Sequence, residues 1–448
     1  MFIMRLALLC DDPAVVPWLD AMAGGSAHEV VVAATVSPRG SELLRGRAGI
    51  RLTSQWEELL IARDIDAVLV GGSEPSLLEA VRQLATAGQS ILFLPQAAQG
   101  STFLYELGLI RDDNRVRLFP ALVHRRDPAL VRLRSVLRDG SLGTVQLIQF
   151  EREVSGCEEM SRDREGAVVS HCHAPLPHGR GSNTSQPLSG SSPTGALPQA
   201  VVNAALLPDI DLLRWLSGDY DQVTALRTGA ANEAVLMQTV TLAGRGLPEA
   251  TWHVQSTDGI EVSRLTVHAE RGRTVVERDP VSNEWVLTEP GGAQVVGNRV
   301  ASARELLDEF AASLTGSAAS AEWPELVKDF ETLDATQRSV TRRRTIELHF
   351  EPMSERATFK TQMTAMGCGV LVGTFLLLLA YLALASLVPQ SPKFGDPPDG
   401  WELMRSGLFL ARAVVFAPVA IFLVLQLLYP LTRPTSGATN AAATHDSP

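Results

Sequence analysis

Short apolar runs alternate with amphipathic stretches over residues 1–125 of this chain. Apolar runs of about four to eight residues are typical of strands that are buried on both faces of a parallel sheet. Parallel strands need crossover connections, and the stretches between these runs are long enough to supply helices. We therefore predict an α/β domain with a doubly wound parallel sheet, whose strands fall at residues 3–10, 29–36, 66–71, 90–94 and 116–119.

A second domain is predicted over residues 126–349. It opens with a helix and a strand near residues 144–156, followed by a helix over 200–217, several alternating β-like runs and two more helices. This order indicates an α+β domain with an open antiparallel sheet. Residues 157–198 interrupt it. Because they are rich in Gly, Ser and Pro they cannot bury a core, so we predict a low-complexity insertion.

Two long apolar segments follow the second domain. Residues 361–391 contain no charged side chain, and residues 413–431 are apolar apart from Gln426. A helix needs about 20 apolar residues to cross a membrane. We therefore predict a two-helix transmembrane hairpin made of a juxtamembrane linker at 350–361, helices at 362–388 and 407–431, a loop at 389–406 and a disordered tail at 432–448. A hairpin buried inside a soluble protein is the alternative.

The distribution of charge predicts orientation and excludes one class of partner. Basic residues cluster before the first predicted span, whereas the loop between the spans has only Lys393 and Arg405. The positive-inside rule therefore places the soluble part on the cytoplasmic side of the inner membrane. The formal net charge of −11, with no basic stripe to offset it, argues against a nucleic-acid partner.

The first predicted strand runs directly into Cys10-Asp11-Asp12-Pro13. Asp12 is suited to cap the following helix, and Pro13 is suited to its first position. A dinucleotide-binding protein places glycines in such a turn, because backbone N–H groups must approach the pyrophosphate. Two carboxylates would repel that anion. The pattern therefore predicts the scaffold of a nucleotide site with a degenerate phosphate-binding turn.

Four stretches, taken in order, resemble the Gfo/Idh/MocA family of NAD(P)-dependent sugar and polyol oxidoreductases. They are residues 56–68, which contain Trp-Glu-Glu-Leu-Leu and Asp-Ile-Asp-Ala-Val, residues 127–145, which contain a Gly-Ser-Leu-Gly turn, residues 209–218 and residues 330–348. The likeness spans about residues 1–349. It implies a Rossmann-like N-terminal domain that binds NAD(P) and a C-terminal domain whose open sheet often mediates homo-oligomers.

The resemblance also implies two catalytic motifs, and both are altered here. The family's Glu-Lys-Pro motif, whose lysine contacts substrate and cofactor, corresponds to the region of Leu94-Pro95-Gln96, which has no lysine. Its Asp-x-Gly-x-His-x-x-Asp motif, aligned on Asp211, falls on Ala204, Leu206 and Pro208. The acid–base histidine is thus replaced by proline, which has no ionisable group. We expect the remaining Asp211 to cap or pair rather than catalyse.

Three further positions complete the possible cofactor-binding residues. The sequence Val36-Ser37-Pro38-Arg39 lacks the acid that would bind a ribose diol. Ser37 and Arg39 suit either a 2′-phosphate or an ordinary solvated loop. The possible cofactor contacts are therefore Ser37, Arg39 and Gly71, together with the degenerate turn at Cys10, Asp11, Asp12 and Pro13.

Other polar clusters have a functional and a structural interpretation. His171-Cys172-His173, with Cys157 and His178, has the residue types of a zinc site but an unusual spacing within the insertion, so we predict no metal. His124-Arg125-Arg126 forms either an anion-binding wall or ordinary surface charges. Trp215 and Trp252 are predicted to be core residues.

Two functions from different classes fit these observations. The first is a membrane-anchored pseudo-oxidoreductase that binds no cofactor and serves as a cytoplasmic binding or scaffold module for a protein or small molecule. The second is an active NAD(P)-dependent oxidoreductase with a divergent cofactor turn, in which His124 or a water transfers the proton. The altered positions Gln96 and Pro208 favour the first.

Overall fold

The computed structural model describes residues 3–23, 27–35, 38–44, 47, 49–155, 196–228, 234–289, 292–316, 322–350 and 373–379. The chain divides into two compact units, Met1–Pro352 and Met353–Pro448. The first unit contains two sheets. In the second, the described part is a helix at residues 373–379.

The first sheet has six parallel strands in the order β3-β2-β1-β4-β5-β6. The strands are β1 (Arg5–Cys10), β2 (Glu29–Ala34), β3 (Arg51–Thr53), β4 (Ala67–Gly71), β5 (Ile91–Leu94) and β6 (Leu118–Pro120). The predicted doubly wound sheet is confirmed. Sequence analysis missed β3, because this three-residue edge strand leaves its one apolar side chain, Leu52, half exposed.

Helices connect these strands. They are α1 (Val16–Ala23), α2 (Pro38–Leu43), α3 (Glu58–Ile61), α4 (Pro75–Thr86) and α5 (Ser101–Asn114), and α6 (Pro128–Arg138) leads out of the sheet. The strand order reverses between β1 and β4. In open α/β sheets, such a switch point opens a crevice at the carboxyl ends of the strands, where ligands bind.

The second sheet has nine strands in the order β14-β13-β12-β11-β7-β10-β9-β8-β15. They are β7 (Val145–Ser155), β8 (Gln222–Thr228), β9 (Met237–Ala243), β10 (Glu249–Thr257), β11 (Val262–Ala269), β12 (Gly272–Arg278), β13 (Trp285–Thr288), β14 (Gln294–Val296) and β15 (Ile346–Glu347). The predicted antiparallel sheet is confirmed for most neighbours, but β7 and β10 pair in parallel. Strand periodicity does not reveal this pairing, since β7 inserts between the consecutive strands β10 and β11.

Three long helices pack on these sheets: α7 (Gln199–Ser217), α8 (Arg299–Leu314) and α9 (Trp323–Arg342). Although α8 follows the second sheet in the chain, its Phe310 lies in the core of the first sheet, 5.5 Å from Phe119 between ring centroids. In α9, Trp323 donates a hydrogen bond to the carbonyl oxygen of Leu104 in α5 at 3.0 Å. Helices α8 and α9, which lie after the predicted domain boundary between residues 125 and 126, therefore pack against the first sheet and its helix α5.

The two tryptophans that were predicted to be core residues differ in burial. Trp252 is fully buried in β10, as predicted. Trp215 is only half-buried near the end of α7, where the guanidinium of Arg134 lies 4.3 Å from its ring centroid. The prediction for Trp215 is wrong, because one face of its ring packs against the side chain of Arg134, which is itself only partly buried, and not against the apolar core.

The predicted hairpin and insertion lie largely outside the described residues. Of the spans at 362–388 and 407–431, the structure describes residues 373–379 only, and of the insertion at 157–198 it describes 196–198. Among the described residues, no helix combines the length and the apolar composition that a membrane crossing requires.

Candidate functional site

A cavity of about 740 Å³ lies between the two sheets. It is lined by the turns after β1, β5 and β6, by α7, and by residues of β7, β12 and β13. The positions singled out in the sequence that line it are Asp12, Leu94, Pro95, Gln96, His124, Ala204, Pro208 and Asp211. The fold therefore brings together all three of the altered family motifs.

The turn after β1 is satisfied by its own side chain. Asp12 precedes a 3-10 turn at Pro13–Val15, and its Oδ1 accepts a hydrogen bond from the backbone N–H of Ala14 at 2.6 Å. The predicted cap and the predicted position of Pro13 are confirmed. Beside them, burial raises the pKa of the Cys10 thiol to about 12. Cys10 is therefore a neutral thiol at physiological pH, unsuited to nucleophilic or metal chemistry.

Glycines surround this turn, and the chain itself fills the space they leave. A Cβ on Gly72, whose φ is +146°, would lie 2.1 Å from Oδ1 of Asp11. A Cβ on Gly40 in α2 would lie 2.8 Å from the carbonyl oxygen of Cys10. In a dinucleotide fingerprint, a glycine lets the backbone approach the pyrophosphate closely. Here the missing side chain of Gly72 leaves room for the side chain of Asp11, and that of Gly40 lets α2 pack closely against the turn.

Gly71, a possible cofactor residue, also has a packing role. It is buried at the end of β4, and a Cβ there would lie 2.7 Å from Cδ1 of Leu94 and 2.9 Å from Sγ of Cys10. A larger residue would therefore push neighbouring strands apart. This contact explains the glycine without a ligand.

Gln96 closes the gap between the turns after β1 and β5. Its Nε2 donates to Oδ2 of Asp12 at 2.5 Å, and its backbone N–H donates to Oε1 of Gln99 at 2.8 Å. Both carboxylate oxygens of Asp12 are thus engaged within the protein. A neutral amide here cannot supply the positive charge that a lysine would bring to substrate and cofactor.

Pro208 lies inside α7 and faces the cavity. It has no N–H and no ionisable group, so it can neither donate to the carbonyl oxygen of Ala204 nor exchange a proton. The neighbouring acids are paired. Asp209 binds Arg152 through two hydrogen bonds of 2.7 and 2.6 Å. Asp211 accepts two from Arg125, at 2.9 and 2.5 Å, so the prediction that it pairs is confirmed.

One buried acid of the cavity was missed by sequence analysis. Asp329 in α9 is 1% exposed and hydrogen-bonds Arg214 through one oxygen, and its Oδ2 has no hydrogen-bond partner in the part of the chain that the structure describes. Burial raises its pKa to about 8, although the charge of Arg214 opposes the shift. The available signal was an aspartate at helical spacing on the apolar face of α9, three residues after Leu326 and four before Leu333.

The run His124-Arg125-Arg126 divides between two roles. His124 lines the cavity, 6.1 Å from the Trp285 ring between centroids, and burial together with nearby arginines lowers its pKa to about 3. It is therefore a neutral imidazole at physiological pH. Arg125 is buried against Asp211, and Arg126 binds Glu309 at 2.5 Å. The histidine belongs to the cavity wall, whereas both arginines are held in ion pairs.

The other predicted positions lie outside the described residues. Ser37 is one of them, and the side chain of Arg39 is another. The histidines and cysteines at 157, 171–173 and 178 also fall there. Within the described ranges, no group of three His, Cys, Asp or Glu side chains could hold a metal ion.

Comparison with known proteins gives the fold. Neither a family sequence model nor a curated protein sequence matches this chain. The structure of myo-inositol 2-dehydrogenase from Lactobacillus plantarum matches with a TM-score of 0.58 at 13% sequence identity, covering 78% of this chain and 100% of that one. The WlbA dehydrogenase from Bordetella pertussis, solved with NADH and UDP-GlcNAcA, matches with a TM-score of 0.57 at 17% identity, covering 78% and 98%. The chain therefore has the fold of Gfo/Idh/MocA-type dehydrogenases, as the sequence resemblance predicted.

Proposed function

We propose that this chain is a membrane-anchored pseudo-oxidoreductase of the Gfo/Idh/MocA type, which uses the dehydrogenase fold as a cytoplasmic binding or scaffold module. The observation that carries the proposal is the hydrogen bond from Gln96 to Asp12. It joins the two turns between which a nicotinamide dinucleotide would enter. Its donor, Gln96, lies in the region where the family carries its lysine.

The residues of the nucleotide site do not fit a dinucleotide. A pyrophosphate needs free backbone N–H groups and a positive local potential at the helix N-terminus. Here the carboxylate of Asp12 accepts from the N–H of Ala14. Asp11 adds a second acidic side chain against Gly72. Both features favour a self-contained turn over an anion site.

The residues at the family's catalytic positions also lack a group suited to proton transfer. Oxidation of a carbinol needs a base that takes the hydroxyl proton as hydride leaves, with a pKa near the working pH. Pro208 has no such group, and Gln96 is neutral. His124, with a pKa of about 3, is a weak base. These three side chains support the loss of catalysis.

The alternative is an active NAD(P)-dependent oxidoreductase of sugar-like substrates. Two observations favour it: the cavity between the sheets persists at about 740 Å³, and a neighbour of the same fold was solved with NADH. In this case a water held by the cavity would have to accept the proton.

The membrane anchor and the partners are further parts of the proposal. The apolar segments at 362–388 and 407–431 would hold the protein at the inner membrane, with residues 1–349 in the cytoplasm. Protease added to intact spheroplasts should then leave residues 1–349 undigested, and digestion would contradict this topology. The open second sheet offers a surface for homo-oligomers.

Thermal unfolding of the full-length chain with NAD(H) and NADP(H) tests the loss of cofactor binding. A ligand that binds only the folded state must raise the unfolding midpoint. We expect unchanged midpoints with all four nucleotides. A saturable rise at micromolar nucleotide would contradict the proposal and support the active enzyme.

A further inference from the structure

We propose that the cavity binds a small hydroxylated organic anion, whose carboxylate or phosphate group is held by Arg278 and Arg299. The inference deepens the proposed function, on which it rests, by giving the chemical class of ligand for the binding module. It depends on the wall of the cavity opposite the degenerate nucleotide turn.

Three arginines line this wall: Arg152, Arg278 and Arg299. Arg152 has its charge balanced by direct pairing, through its two hydrogen bonds to Asp209. Its remaining nitrogen, NH1, donates to the hydroxyl of Ser263 at 3.0 Å. Arg152 is therefore committed to the protein core.

Arg278 and Arg299 are free to bind a ligand. Among the described residues, neither of them forms a salt bridge. Arg278 donates from Nε to the backbone carbonyl oxygen of Asn283 at 3.1 Å, and its guanidinium lies 5.7 Å from the ring centroid of Trp285. These two contacts orient the guanidinium and leave its terminal nitrogens available.

Two carboxylates near these arginines accept hydrogen bonds from backbone N–H groups. Both oxygens of Glu284 accept from the N–H of Arg299, at 3.1 and 3.0 Å. Asp127 accepts from Ala129 and Leu130 as the N-cap of α6, at 3.0 and 3.3 Å. These acids moderate the local charge without pairing with the two guanidinium groups.

The charges of these arginines act on one another and on His124. Burial and the charges of Arg152 and Arg299 lower the pKa of Arg278 to about 10. The same three arginines contribute to the low pKa of His124. A bound anion would relieve this repulsion, and guanidinium groups match carboxylate and phosphate oxygens well.

The rest of the cavity indicates the remainder of the ligand. Its volume is within the usual range for small-molecule sites. His124, which also lines it, is a neutral imidazole and can hydrogen-bond a ligand hydroxyl. The ligand would therefore carry hydroxyl groups as well as an anionic group.

Calorimetric titration of the full-length chain with gluconate, glucose 6-phosphate and uncharged glucose, in a chloride buffer without nicotinamide, tests the inference. We expect at least one of the two anions to bind more tightly than glucose. Tighter binding of gluconate would identify a carboxylate ligand, and tighter binding of glucose 6-phosphate a phosphate ligand; either supports the inference. Absence of binding by both at about 10 mM, or equal binding of glucose, would overturn it.

Substitutions locate the site. Arg278→Gln and Arg299→Gln should each weaken anion binding at least about 10-fold, since each removes a charge-assisted contact. Arg278→Lys should lie between Arg278→Gln and the unsubstituted chain, which separates lost charge from lost folding. Arg273→Gln, on the exposed part of β12, is the matched control and should bind normally. Unchanged affinity in both glutamine variants would overturn the assignment. These titrations contain no nucleotide, so their failure is distinct from a failure of the cofactor experiment.

Discussion

The two walls of the cavity use charged side chains in different ways. On the wall of the first sheet, both carboxylate oxygens of Asp12 accept hydrogen bonds from the protein itself, from the backbone N–H of Ala14 and from the side chain of Gln96. On the wall of the second sheet, Arg278 and Arg299 have no carboxylate paired to them among the described residues. The comparison teaches that one wall of the cavity satisfies its charged group within the protein, whereas the other wall presents guanidinium groups that no carboxylate in the described part of the chain pairs with.

Removing the buried carboxylate that pairs with Arg152, on the wall of the second sheet, should have the largest effect on stability. Asp209→Ala would leave Arg152 buried without its carboxylate, and it would also remove the acceptor of Trp252 Nε1. We expect the free energy of unfolding to fall by about 3–5 kcal/mol. Urea denaturation measures it. Glu277→Ala, which breaks the exposed pair with Arg264, is the control and should cost at most about 1 kcal/mol. Similar losses in the two variants would show that this wall does not depend on buried pairing.

The pH dependence of stability should isolate Asp329, with an intermediate effect. Because its folded-state pKa, about 8, lies above the value of an unfolded aspartate, the folded state retains a proton that the unfolded state has released. This group therefore makes stability fall as pH rises toward 8, by up to about 1.4 kcal/mol per pH unit. Asp329→Asn removes the contribution, so the variant should gain stability relative to the unsubstituted chain between pH 5 and 8. Parallel stability curves for the two proteins would contradict the raised pKa.

Loss of the Asp12 carboxylate should have the smallest effect. Asp12→Ala removes the cap of the turn and the acceptor of Gln96, which together should cost about 1–2 kcal/mol. Asp12→Asn keeps a capping oxygen and should cost less. Chemical denaturation compares the variants. If alanine were tolerated without loss, the turn would not depend on its own carboxylate, and the contrast between the walls would weaken.

The sequence predicted those features that depend on local chemistry. Asp12 and Pro13 could be placed at the start of a helical turn because caps act within a few residues. The parallel sheet followed from the alternation of runs, and the substitution at Pro208 followed from alignment with a motif. All of these signals are short-range.

The charged wall could not be predicted because its members are far apart in the chain. Arg152, Arg278 and Arg299 meet only after β7, β12 and α8 have packed. Likewise, the parallel pairing of β7 with β10 depends on a choice between partners that alternation leaves open. Asp329 was marked by its place on an apolar helix face, but only packing decides whether such an acid is buried.

Direct titration of the full-length chain with NADH and NADPH tests the central claim, that the nucleotide half of the cavity is filled by the protein's own side chains. Calorimetry is suitable because it requires no catalytic turnover. The account predicts no saturable binding at nucleotide concentrations of about 1 mM. A dissociation constant in the micromolar range for either nucleotide would contradict it.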